Sequence, residues 1–266
     1  MLLYPNAKIN IGLNIIKKLK NGYHNIESCF CPISLYDIIE IKEGNKDHLS
    51  LSGIKINGEI SNNIILKALK IFNCNNKFRI HLHKNIPIGA GLGGGSSDGS
   101  SILNFLNNNF NKFNKKEILI ESNRLGSDCP FFFHNKTQYV TGTGNNFEDI
   151  NIDLSNKKIV IVDPKTSINT KNAFKSILPK KPKYHLKEIL ENECLDNWKK
   201  YIKNDFEEYA FSRINILKKI KSNLNKLGAK YISLSGSGSC IYGIFNENDI
   251  SQNDISFNNY IVDVIS

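Results

Sequence analysis

Residues 86–100, IPIGAGLGGGSSDGS, place glycines at 89, 91, 93, 94 and 95 ahead of two serines and an aspartate. Glycine loses more backbone freedom on folding than any other residue, about 0.5–1 kcal/mol relative to Ala in regular structure. So dense a run requires an interaction that offsets the cost. A glycine turn leading into a helix presents backbone N–H groups, unblocked by side chains, at the positive end of the helix dipole, and such a turn binds phosphate. Ser96 and Ser97 are expected to cap that helix and to offer hydroxyls to the same phosphate.

Other patterns share these residues. Gly89, Gly91 and Gly94 satisfy GxGxxG, but the acidic ribose contact of a dinucleotide fold, about 20 residues on, has only Glu121 as a candidate. Gly95, Ser97 and Gly99 satisfy GxSxG, with His134 and His185 downstream, although a nucleophile elbow needs no glycine run before it. A Walker A loop wants Lys where Gly95 stands. A purely structural glycine turn is the remaining reading.

The flanking elements must deliver the loop. Ala7 to Ile16 reads as a strand, in which Lys8 and Asn10 share a face. Lys20 to His24 reads as a turn around Asn-Gly. Ile38 to Lys42 and Phe78 to His83 are further strands; in FRIHLH the apolar residues take one face, and Arg79, His81 and His83 the other. Helical periodicity covers 62–72, 96–108 and 115–125. Beyond a strand at 138–141, the polar stretch 145–156 is the expected boundary between domains 1–150 and 151–266. Lys157 to Val162 then reads as a strand and Phe206 to Leu227 as one long helix closed by Gly228. Residues 229–234, 240–245 and 260–265 read as strands. The mixture predicts an α+β protein of two layered domains.

Composition narrows the function classes. The formal net charge of +10 favours an anionic partner, whether a phosphorylated small molecule, nucleic acid or a membrane surface. The charges are scattered, however, and the densest run, PKKPK at 179–183, reads as a solvated loop. Six cysteines lack metal-site spacing, so no protein-bound metal is expected. Neither a charged leader with an apolar core nor roughly 18 consecutive apolar residues occurs. Reduced thiols and a cytoplasmic location are expected, without membrane or nucleic-acid partners.

PIGAGLGGGSSDGS closely resembles the phosphate loop of the GHMP kinases, PxGxGLGGGSS(N/D). AKIN at 7–10 resembles their N-terminal segment, and LSGSGSC at 234–240 their C-terminal glycine motif, here Ser235, Gly236, Ser237 and Gly238. The resemblance implies a ribosomal-S5-domain-2-like N-terminal half and a ferredoxin-like C-terminal half. It implies ATP, with Mg²⁺ carried by the nucleotide, bound through Pro87, Gly89, Gly91, Leu92, Gly93, Gly94, Gly95, Ser96 and Ser97. NGYHNIES at 21–28 and RLGSDCPFFF at 124–133 sharpen the match, towards the members that phosphorylate the 2-hydroxyl of a cytidylated methylerythritol rather than homoserine or mevalonate. The same resemblance makes Asp128 the general base and Lys8 its partner. Tyr23 would stack on the cytosine, His24 hydrogen-bond it, Phe174 cover its other face, and Thr170 and Asn10 contact substrate. Gly99 and Ser100 depart from the family's alanines, which predicts a weaker start to the helix.

Overall fold

The computed structural model describes residues 1–250, 257 and 259–265. β1 (Leu2–Leu3), β2 (Asn6–Lys18), β3 (His24–Tyr36), β4 (Ile38–Gly44), β5 (His48–Gly53), α1 (Ile64–Phe72) and β6 (Lys77–Lys84) lead to the glycine loop. After it come α2 (Gly94–Phe110), α3 (Lys115–Leu125), α4 (Cys129–His134), β7 (Gln138–Gly142), β8 (Asn146–Asp149) and β9 (Lys157–Val162). Three short helices follow: α5 (Thr170–Ser176), α6 (Leu186–Asn192) and α7 (Leu195–Tyr201). The chain continues through α8 (Glu207–Arg213), α9 (Ile216–Lys226), β10 (Tyr231–Leu234), β11 (Ile241–Asn246) and β12 (Asn259–Val262). Ala229 and Lys230 of the expected strand 229–234 precede β10, and residues 263–265 lie beyond β12.

Packing divides the chain into two interleaved units. The first comprises Met1–Ala7, Leu35–Ile88 and Gly93–Lys136, the second Lys8–Ser34, Gly89–Leu92 and Thr137–Ser266. The glycine loop therefore contributes to both.

In the first unit the sheet order is β1-β4-β6-β5, with β4 antiparallel and β5 parallel to β6. The alternation in FRIHLH sends Phe78, Ile80 and Leu82 into the core. On the opposite face His81 and His83 meet the hydroxyls of Ser50 and Ser52. α1 begins where Asn63 accepts the Ile65 N–H, and it buries Ile65, Ala68, Leu69 and Phe72, the spacing of one helical face. α3 opens with a capping box between Asn114 and Glu117. α2 closes the layer with Ile102, Leu103 and Leu106.

The second unit holds two sheets, of order β2-β3-β7-β8 and β10-β11-β9-β12. The polar stretch after 145 is not wholly loop: β8 pairs antiparallel with β7 across a turn in which Gly142 and Gly144 adopt positive φ. Under the other sheet, Val160, Val162, Leu234, Ile241 and Phe245 pack with Phe206, Leu217, Ile220 and Leu224. The expected helix 206–227 is two helices. Ile214 is extended, with φ −127° and ψ 92°, and breaks the helix although the apolar spacing runs on across it. Gly228, at φ +92°, ends the second helix as expected. PKKPK lies outside helix and strand with its lysines exposed. No helix among the described residues is long and apolar enough to cross a membrane.

The core of the first unit depends on Phe72, fully buried between α1 and the sheet. Phe72→Ala is expected to cost about 3–5 kcal/mol by truncation of a buried aromatic, read as a lower midpoint in urea at unchanged slope.

Candidate active site

Alternation along β2 puts Lys8 and Asn10 side by side, and both are buried. An ammonium taken out of water must find acceptors. Lys8 Nζ donates to Asn10 Oδ1 at 2.5 Å and to the Gly91 carbonyl at 3.2 Å, and lies 4.9 Å from the centre of the Phe30 ring. Asn10 is itself held: its Nδ2 donates to Ser28 Oγ, and its carbonyl accepts from Tyr242. Asn10 thus orients Lys8.

The loop's carbonyls are anchored one after another. Ala90 O accepts from Cys240 N at 3.2 Å, Gly91 O from Ser235 Oγ at 2.8 Å, and Leu92 O from Lys8 N at 2.9 Å. Here backbone meets backbone. A Cβ on Gly91, whose φ is +82°, would lie 1.9 Å from the Ser235 carbonyl oxygen, so only glycine fits. Gly236 packs reciprocally on Gly91. Behind this contact Asn204 donates to the carbonyls of Leu234 and Gly236, each at 2.8 Å. Asn204 was not legible in the sequence, because nothing local marks an asparagine that bonds a turn 30 residues away. Ser237 bonds Thr170 Oγ1 at 2.9 Å, and Gly238 packs against Ile168 and Leu234.

In the first unit, Gly93 at φ +71° is the N-cap of α2 and makes no side-chain cap bond. Ser96 and Ser97 are consequently the third and fourth residues of the helix, a correction to their expected capping role. The glycines supply the turn by themselves, and the first helical bond runs from Ser97 N to Gly93 O. The N–H groups of Gly93 to Ser96 have no partner within the helix. Gly95 is exposed, with open space where a Cβ would stand. These features fit an incoming phosphate. Pro87 is buried and follows the end of β6.

Under this turn lies a buried ion cluster that the sequence reading missed. Lys84 pairs with Asp37 and, at 2.9 Å, with Asp98. Asp37 also accepts the N–H groups of Asn85 and Ile86. Burial pushes the Asp98 carboxyl up to about 8, against the opposing pull of Lys84. The sequence signal was present but weak: a lysine just before the loop and an aspartate just after its serines.

Asp128 is half-buried at the N-cap of α4, with no side-chain cap bond. The departures at 99 and 100 have a local cause. A Cβ on Gly99 would come within 2.9 Å of side-chain atoms of Ile64 and Leu125. Ser100 Oγ lies 2.7 Å from the Ser96 carbonyl oxygen and 3.0 Å from that of Cys129. It ties α2 to the residue next to Asp128.

At the NGYH turn, His24 stacks on Phe174 with ring centres 4.9 Å apart and planes 21° apart, and Phe174 meets Phe206 edge-on. Burial, helped by Lys18, lowers the His24 pKa and favours the neutral imidazole, which both donates and accepts. Tyr23 is 63% exposed. Thr170 is exposed at the start of α5.

Residues 63–136 match the family model for the GHMP kinases N terminal domain, and residues 186–254 that for GHMP kinases C terminal. A protein of Azobacteroides pseudotrichonymphae is 41% identical over 268 residues, covering 98% of this chain and all of the relative. One from Bacteroides thetaiotaomicron is 39% identical, covering 92% of each. This chain belongs to the GHMP kinase family. Both relatives are named 4-diphosphocytidyl-2-C-methyl-D-erythritol kinase. The fold is that of a crystal structure of 4-(cytidine 5'-diphospho)-2C-methyl-D-erythritol kinase, with a TM-score of 0.82 at 24% identity over 99% of both chains. A crystal structure of mevalonate kinase shares the fold more distantly, with a TM-score of 0.68 at 17% identity and the same coverage.

Gly91→Ala is expected to force the loop off Ser235 and lower kcat/KM for phosphoryl transfer about 100-fold, the scale of a 1 Å misplacement. Steady-state kinetics beside a thermal melt check this; wild-type kinetics would contradict the close contact.

Proposed function

We propose that this chain transfers the γ-phosphoryl group of ATP to the 2-hydroxyl of 4-diphosphocytidyl-2-C-methyl-D-erythritol. The observation that carries the reading is identity of 41% along 98% of the chain with a relative of that name. The turn at Gly93–Ser96, exposed at Gly95, supports it by offering phosphate N–H groups that have no partner within the helix. The reading includes a cytoplasmic enzyme acting on a diffusible small molecule. It also includes a division by chain order into 1–150 and 151–266, supported by family models that fall on either side of residue 150.

In this mechanism Asp128 accepts the hydroxyl proton as the phosphoryl group arrives. Lys8 steadies the charge that develops, in a position fixed by Asn10 and Gly91. The turn from Gly93 to Ser96 receives the phosphates, aided by the helix dipole. Mg²⁺ arriving with the nucleotide supplies charge neutralisation on the phosphate oxygens. Among the described residues no group of three or more His, Cys, Asp or Glu could hold a metal ion. Tyr23, His24, Phe174 and Thr170 bind the cytidylated end of the substrate.

The direct test is ADP release with the cytidylated alcohol, homoserine and mevalonate in turn. Turnover is expected with the first; activity on homoserine or mevalonate alone overturns the assignment. Asp128→Asn is expected to lower kcat about 10²–10⁴-fold, the worth of a general base, while nucleotide binding survives. Tyr23→Ala is expected to weaken substrate binding by about 1–3 kcal/mol through lost stacking. An unchanged KM for the alcohol would remove Tyr23 from the pocket.

A further inference from the structure

The cluster beneath the phosphate turn does not balance. Lys84, Asp37 and Asp98 are each no more than 4% exposed, and one ammonium faces two carboxylates. With both carboxylates ionised the group carries a net negative charge in a place from which water is excluded, and such a charge is costly. Asp37 is well supplied, since Lys84 and the N–H groups of Asn85 and Ile86 all donate to it. Asp98 receives one bond from Lys84 on Oδ2, and its buried Oδ1 has no hydrogen-bond partner. The cluster also lies against the start of α2, the turn that the kinase reading assigns to phosphate. A Cβ on Gly94, the first residue of α2, would lie 2.9 Å from Lys84 Nζ.

We propose that Asp98 is a positioning residue for the nucleotide phosphates, one that retains a proton so that Lys84 leaves no net negative charge beneath the turn. The phosphates, as anions, bind the neutral cluster better than the negative one, and their arrival strengthens Asp98's hold on the proton. Nucleotide binding and proton uptake are thereby linked.

The elements packed against Asp98 leave this balance to the cluster itself. β6 presents Lys84, and the segment between β3 and β4 presents Asp37. α4 presents the Cys129 thiol, pushed by burial to about 11 and therefore neutral. The charged Lys67 and Lys70 of α1 are exposed, and on α3 Arg124 pairs with Glu121. Asp98 is raised to about 8 in the absence of nucleotide. Below pH 7 it is already protonated and binding takes up nothing there. Above about pH 8 binding draws a proton in, and affinity falls by up to about tenfold per pH unit, the limit for one linked proton.

The proposal rests on the kinase reading, and its test keeps the two apart. Titration calorimetry of Mg·ADP binding, in two buffers of different ionisation enthalpy, gives the protons taken up at pH 7 and pH 8.5. Wild type is expected to take up a fraction of a proton at pH 8.5 that Asp98→Asn, a neutral side chain of the same shape, does not. The variant is also expected to keep at pH 8.5 the affinity that wild type shows at pH 7. Equal proton counts in the two proteins overturn the proposal. A readout without a variant uses wild type labelled at the aspartate carboxyl carbon. One carboxyl resonance is expected to titrate near pH 8 and to move to higher pH with Mg·ADP. The proposal fails if every aspartate carboxyl titrates below pH 6. If Mg·ADP does not bind at either pH, the kinase reading falls and this proposal falls with it.

Discussion

Three consecutive carbonyls, those of Ala90, Gly91 and Leu92, are each taken by a donor from a distant part of the chain. The local architecture of the loop depends on this anchoring. A polyglycine segment left to itself would sample many conformations; pinning its oxygens removes that freedom and sets the direction of each peptide. Positive φ at Gly91 and the near contact with Ser235 are the geometric price of the arrangement. They explain why this position and the facing Gly236 are both glycine. Asn204 extends the support outward by fixing the turn that does the pinning.

Charge follows the same economy. The chain is basic, with a net charge of +10, yet among the described residues the buried basic side chains are Lys8 and Lys84. Each is near one stretch of the glycine loop: Lys8 donates to the Gly91 carbonyl, and Lys84 underlies Gly94. Surface lysines act through water and salt and contribute weakly. The two buried ones are held by neighbours that fix their direction, Asn10 for Lys8 and two aspartates for Lys84. Net charge therefore says less about this protein's chemistry than the location of two ammonium groups.

What the sequence made legible was whatever has a local period or a dense motif. The alternation of AKIN placed Lys8 beside Asn10, FRIHLH divided into a core face and a solvent face, and the glycine run opened a helix. The short helices α5, α6 and α7 span seven residues each, too few for a period to emerge. Ile214 interrupts a helical pattern that its neighbours continue, because tertiary packing outweighs propensity there. Asn204, Ser100 and the Lys84 cluster were hidden for another reason. Each acts through at least one partner far away in sequence, and an isolated asparagine, serine or aspartate leaves at most a weak spacing to read. The serines at 96 and 97 were misread as caps because a glycine N-cap has no side chain to announce it.

On the kinase reading, the open N–H groups at the start of α2 receive the phosphates. Backbone amide NMR of the labelled protein during titration with Mg·ADP tests it most directly. The amide protons of Gly94, Gly95 and Ser96 are expected to move downfield together, in proportion to saturation, as hydrogen bonds to phosphate form. Saturable nucleotide binding that leaves those three resonances in place would contradict the account.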